Sequence, residues 1–265
     1  MVTKYQHFGP DGHLLGSESY YLRLRYKPMG AQDGWADQFT CLELQLQVDD
    51  RPSVAVPELD GMTYTFNPAA TGVDERSPLW GLPQGRFKSL TDGLGNLLTF
   101  SSRYAAYVSL IDFHSINDVF TKPMPFGNGI QNLKNVGQKV VHPASFMKAE
   151  VKFGTEVKSG STYQNGEVTL ELKGVGLVDG APCAIVTYDA GTGTLRMVTV
   201  DLAGQESITN GISQYKGDIF IDLATRWIRK ATLDEYGTME TSTEGSPSKV
   251  ELTARHIQSH MDVQG

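Results

Sequence analysis

The 265-residue chain contains only two cysteines, Cys41 and Cys183, too few for a disulfide framework. Both fall in strand-like runs, where a thiol serves as a small buried hydrophobe. No apolar run approaches the roughly 18 residues that a membrane-spanning helix needs. Cations are in the minority and unclustered: 23 Lys and Arg stand against 30 Asp and Glu, a formal charge of −7. Binding to nucleic-acid phosphates or to anionic lipid surfaces depends on clustered Lys and Arg, so neither partner is expected. Residues 1–10 are polar and lack the apolar core of a secretion signal. The expectation is a cytoplasmic protein if Met1 is the native start, and an extracytoplasmic one if a leader has been removed.

Catalytic signatures are equally scarce. There is no Gly-x-Ser-x-Gly elbow and no His-Glu-x-x-His run. Gly-x-Gly occurs at 127–129, 174–176 and 191–193, but none of these opens a helix after a strand as a phosphate loop does. They read as turns. No cofactor and no metal are implied.

What the chain does have is alternation. Val168, Leu170 and Leu172 point one way, and Glu167, Thr169, Glu171 and Lys173 the other. Successive strand side chains leave on opposite faces, so this is a sheet with one dry and one wet face. Residues 17–26 and 39–48 alternate likewise, with a phase slip at Cys41–Leu42 that predicts a β-bulge. After residue 136, strands are expected at 138–142, 149–157, 161–173, 175–178, 182–188, 194–200, 212–222, 227–240 and 249–258. Asp179–Gly180 reads as a turn. Residues 188–193 and 223–226 read as two further hairpin connections.

Between these β-rich ends lie irregular, Pro- and Gly-rich segments at 67–85 and 122–135. They flank a helix expected at 100–121, with a short helical turn at 86–92. Phe100, Tyr104, Tyr107, Val108, Ile111 and Ser115 recur at helical spacing, and Leu110, Phe113, Ile116 and Phe120 widen the stripe. A helix that is apolar nearly all round is buried on more than one side. The N-terminal strands are too few to stand alone. The chain is therefore expected to be mainly β and a single domain. A single curved antiparallel sheet, barrel or half-barrel, is plugged by one or two helices, and the 67–135 insert packs on it. This layout resembles that of lipocalin-like barrels and lipoprotein-carrier half-barrels, with no motif matched residue by residue.

Polar residues concentrate on the helix. Asp112, His114, Asp118 and Tyr107 are the acid–base candidates, because His114 and Asp118 are four apart and share a helix face. Trp80, Phe87, Arg103, Tyr104, Phe113, Phe126 and His142 are the candidate ligand-binding residues, drawn from the aromatic-rich middle third and its flanks. Three functions are compatible with this pattern. The first is a binding protein holding a small, largely apolar molecule between sheet and helix. The second is an isomerase, cyclase or hydrolase working in the same cavity. The third is a structural or interaction module using a sheet edge or an oligomeric face, the oligomeric state itself being open.

Overall fold

A computed structural model of the chain describes residues 1–28, 37–66, 84–121, 127–201 and 203–261. Its strands are β1 (Val2–Phe8), β2 (Leu14–Pro28), β3 (Asp37–Val48), β4 (Val54–Ala55), β5 (Thr63–Phe66), β6 (Lys139–Val141), β7 (Lys148–Glu150), β8 (Thr162–Gln164), β9 (Thr169–Val178), β10 (Ala181–Val200), β11 (Glu206–Asp222), β12 (Ile228–Thr243) and β13 (Lys249–His260). Helices α1 (Gln84–Lys88) and α2 (Phe100–His114) lie between β5 and β6. The strands make one antiparallel sheet in the order β4-β3-β2-β1-β13-β12-β11-β10-β8-β7, with β5 on β3 and β9 between β10 and β6. The expected mainly β fold with a helical insert is what forms. The barrel alternative is corrected, because the sheet does not close. Its terminal strands β4 and β7 are two and three residues long, too short for the ladder that closure requires.

The chain divides into two compact units, Met1–Lys4 with Gly16–His114, and Tyr5–Leu15 with Ser115–Gly265. In the first, β2 and β3 pair from Glu18↔Val48 to Pro28↔Asp37. Arg23 faces Glu43 while Leu24 faces Cys41, so Leu42 is the extra residue of a bulge. The phase slip in the sequence is this bulge. It lets Phe39 and Cys41 on one side of it, and Leu44 and Leu46 on the other, all turn inward. Each such side chain, fully buried, contributes about 1.5–3 kcal/mol.

Helix α2 packs within the same unit. Thr99 caps it, its Oγ1 accepting the Ser102 N–H at 3.1 Å. The Tyr20 hydroxyl on β2 donates to the Ser102 carbonyl at 3.0 Å, and Ser102 Oγ donates to Glu18 at 2.8 Å. The helix expected at 100–121 is thus present, with one difference. Ser115–Val119 widens into a π-turn, closed by Phe120 N–H to the Ser115 carbonyl at 3.0 Å. The short helical turn expected at 86–92 begins earlier, at Gln84.

In the second unit, β9 to β13 run back and forth as neighbours. Val178↔Ala181 closes a two-residue turn in which Asp179 and Gly180 have φ of 49° and 79°. Positive φ at both central positions is the type I′ geometry that matches strand twist. The hairpin expected at 188–193 does not form. β10 runs straight through it for 20 residues, with a register shift between Asp189 and Thr192. Gly191, at φ 56°, and an Asp189 Oδ1 bond to its N–H make a bulge there rather than a reversal. Gly166 explains the same stretch from the other side: a Cβ on it would lie 2.5 Å from the Ala190 carbonyl oxygen. That close approach also breaks the strand expected over 161–173 into β8 and β9, while the strand expected over 149–157 shortens to β7.

The connection at 223–226 forms as expected, and Asp222 organises it. One oxygen of Asp222 accepts the N–H groups of Ala224 and Thr225 at 2.8 and 2.9 Å, and the other meets Arg229 Nε at 2.8 Å. The Thr225 N–H foremost, then the Arg229 guanidinium, hold the carboxyl down at about 2. A carboxyl depressed in the folded state contributes stability above its unfolded value of 3.8, and loses that contribution as pH falls through about 2. Asp222→Ala is therefore expected to lower the melting temperature by about 3–8 °C at neutral pH. The difference from the native chain should shrink between pH 4 and 2 in circular-dichroism melts, and a pH-independent difference would contradict this account.

Candidate functional site

His114 ends α2 in a cage of rings. It stacks on Phe66 at 4.3 Å between centroids and meets Phe39, Phe113 and Tyr64 edge-on at 4.7, 5.1 and 5.5 Å. Nε2 shares a 2.8 Å hydrogen bond with the Tyr64 hydroxyl, and the ring is 0% exposed. A histidine so enclosed holds β3 and β5 to the helix. Tyr107, two turns earlier on the helix, receives a hydrogen bond from Gln84 Nε2 at 2.9 Å and packs edge-on against Phe87. Burial pushes its phenol upward in pKa, away from a base's range. Asp112 and Asp118 are half-buried.

Among the ligand candidates, Phe87 is fully buried, and Tyr104 stacks on Phe100 at 5.9 Å. Arg103 is buried, with Nε donating to the Leu98 carbonyl at 3.1 Å and Nη1 to that of Lys88 at 2.8 Å. It clasps the segment between the two helices. Trp80 and Phe126 lie outside the described residues. Cys41 and Cys183 are both buried free thiols, and desolvation pushes Cys41 to about 11. Among the described residues, no three His, Cys, Asp or Glu side chains gather as metal ligands would, and no helix is long and apolar enough to cross a membrane.

His142 stands apart from these saturated groups. It follows β6, and its N–H donates to the Val168 carbonyl at 2.7 Å, anchoring it to the segment that leads into β9. Ser145 locks the same turn, its Oγ donating to the His142 carbonyl at 2.7 Å and accepting the Val168 N–H at 2.9 Å. The ring is 1% exposed. Nδ1 accepts the Ala144 N–H at 3.1 Å, which places the single proton of the neutral ring on Nε2. Desolvation lowers the pKa to about 4, so the ring is neutral at pH 7. The Val119 carbonyl opposes that shift as a loose hydrogen-bonding contact, and among the described residues nothing meets Nε2 in good hydrogen-bond geometry.

Rings line the same region. Phe120 meets His142 edge-on at 5.5 Å, Tyr188 lies 5.1 Å from Phe120, and Tyr215 lies 6.3 Å from Tyr188. Tyr215 donates to Asn165 Oδ1 at 3.2 Å, and Asn165 Nδ2 to the Ala144 carbonyl at 2.9 Å. The arrangement offers one N–H donor in apolar, aromatic surroundings. Sequence reasoning picked out His142 but missed Tyr188, Tyr215 and Asn165. Only cross-strand register brings these together, and alternation within one strand does not reveal it. No protein-family model matches the sequence, and no curated protein matches it.

Proposed function

We propose that the chain is a non-catalytic binding protein for a small, largely apolar molecule bearing one hydrogen-bond acceptor, with His142 as its polar anchor. The observation that carries this reading is the buried Nε2–H of His142, which meets no acceptor in good hydrogen-bond geometry among the described residues, the Val119 carbonyl being a poorly formed contact. A buried donor left unpaired costs about 1–3 kcal/mol, and an acceptor on a bound molecule removes that cost. Phe120 and Tyr188 supply apolar surface beside it. The neutral ring suits an uncharged acceptor such as a carbonyl, ester or ether oxygen. His114, fixed to Tyr64 inside its cage, speaks against acid–base chemistry at the helix end.

Native mass spectrometry of gently purified protein, followed by organic extraction, tests the proposal. The expected result is an adduct that is extractable as a small apolar molecule and that falls about tenfold or more in occupancy in His142→Phe, which keeps the ring and removes the donor. Protein that carries only water at this position, with no adduct in the native chain, would overturn the proposal.

A further inference from the structure

We propose that β9 pairs with β9 of a second copy of this chain, the two strands antiparallel about a two-fold axis at Gly176. This inference is independent of the ligand reading. β10 takes one edge of β9 from Thr169 to Val178, with a bulge at Lys173. On the other edge β6 pairs only Thr169 to Glu171, extended by bonds between Gly137–Gln138 and Leu172. From Lys173 to Val178 no described strand covers that outer edge.

The hairpin sets which groups are free. A two-residue turn makes Val178 and Ala181 exchange their bonds, so Gly176 also turns toward β10. The N–H and C=O of Val175 and Leu177 then face outward. Both side chains lie on one face of the strand and are 66% and 75% exposed. Edges of natural sheets usually carry charge, proline or a bulge at such positions, because an open apolar edge is a template for another strand.

Two copies of this edge are complementary to each other. About a two-fold axis at Gly176, Val175 stands opposite the partner's Leu177, and each such pair exchanges both N–H···O bonds. Gly176 faces the partner's Gly176 in the non-hydrogen-bonded position, where opposed side chains come closest, and there is no Cβ to crowd. The regular register runs from Gly174 to Val178 and stops at Lys173, which is the extra residue of a bulge against β10 and is held by Glu171 at 2.9 Å. The apolar side chains of both copies meet on one face, as an isologous interface requires.

Light scattering of the eluting full-length chain across a concentration series tests the pairing. The expected result is a mass that rises from one chain toward two with concentration. Val175→Pro removes an outward N–H that β10 does not use, and Leu177→Lys places a charge on the edge. Each should weaken dimerisation about tenfold or more, with unchanged far-ultraviolet circular dichroism. Mixed Val175→Cys and Leu177→Cys chains should form a disulfide with each other on oxidation, while neither variant cross-links alone. A chain monomeric at every concentration, or a dimer untouched by Val175→Pro and Leu177→Lys, overturns the proposal.

Discussion

Gly217→Ala is expected to unfold the second unit, or to cost more than about 3 kcal/mol if it remains folded. Gly217 on β11 lies opposite Tyr188 on β10. The tyrosine ring reaches across it, and its hydroxyl donates to the Thr232 carbonyl on β12 at 2.7 Å. A Cβ at residue 217 would stand 2.7 Å from the Tyr188 hydroxyl and still deeper inside the Thr232 carbonyl. The hydroxyl could swing away, but the carbonyl belongs to a paired strand and cannot. Tyr188→Phe separates the two effects. It removes one hydrogen bond, worth about 1 kcal/mol, and leaves the glycine's space intact. If urea unfolding shows Gly217→Ala to be no worse than Tyr188→Phe, the backbone contact is not the cause.

His114→Ala should cost about 3–5 kcal/mol in the first unit. It empties a site enclosed by Phe39, Phe66, Phe113 and Tyr64, and takes away the ring nitrogen that Tyr64 uses. His114→Phe retains most of the volume and should recover more than half of the loss. Tyr64→Phe combined with His114→Phe should be milder than the two single costs added, because the pair shares one bond. Fully additive costs in equilibrium unfolding would mean that the bond contributes nothing.

The two sites show what a sequence reveals and what it conceals. Alternation around Val168 and Leu170 marks a dry face, and both side chains are completely buried. The slip at Leu42 marks a bulge, because one extra residue shifts every later side chain to the other face. The stretch from Tyr188 to Gly193 misleads for a physical reason. Asp and Gly favour turns, but here glycine makes room for Gly166 of a neighbouring segment, and the strand continues. At the candidate site, the imidazole of His142 is visible in the sequence. The poor geometry at its Nε2 is not, because that depends on backbone groups such as Val119 and Val168 brought in from elsewhere in the sequence. His114 shows the converse. Its position four residues before Asp118 suggested chemistry, and rings from β3 and β5 wrap it instead.

β1 lies between β2 and β13 in the sheet, and the contacts of its outer half reach almost the full length of the chain. Arg255 on β13 donates to the Tyr5 hydroxyl at 3.1 Å with its guanidinium over that ring, while His7 meets Glu251 at 2.6 Å. Arg255 also pairs with Glu235 on β12 at 2.6 Å. Strands β9 to β13 can zip up one hairpin after another, each closing a short loop. β1 has no such shortcut, because its pairing with β13 joins residues as far apart in sequence as Tyr5 and Arg255, separated by 250 positions, and closes a loop far longer than any hairpin's. Until that moment its backbone donors on that side stay exposed to competing strands. Pairing of β1 with β13 thus carries a loop-closure cost that no hairpin of the sheet carries, and the charged and aromatic clasp at Tyr5, His7, Glu251 and Arg255 is what holds the two strands together once it is met.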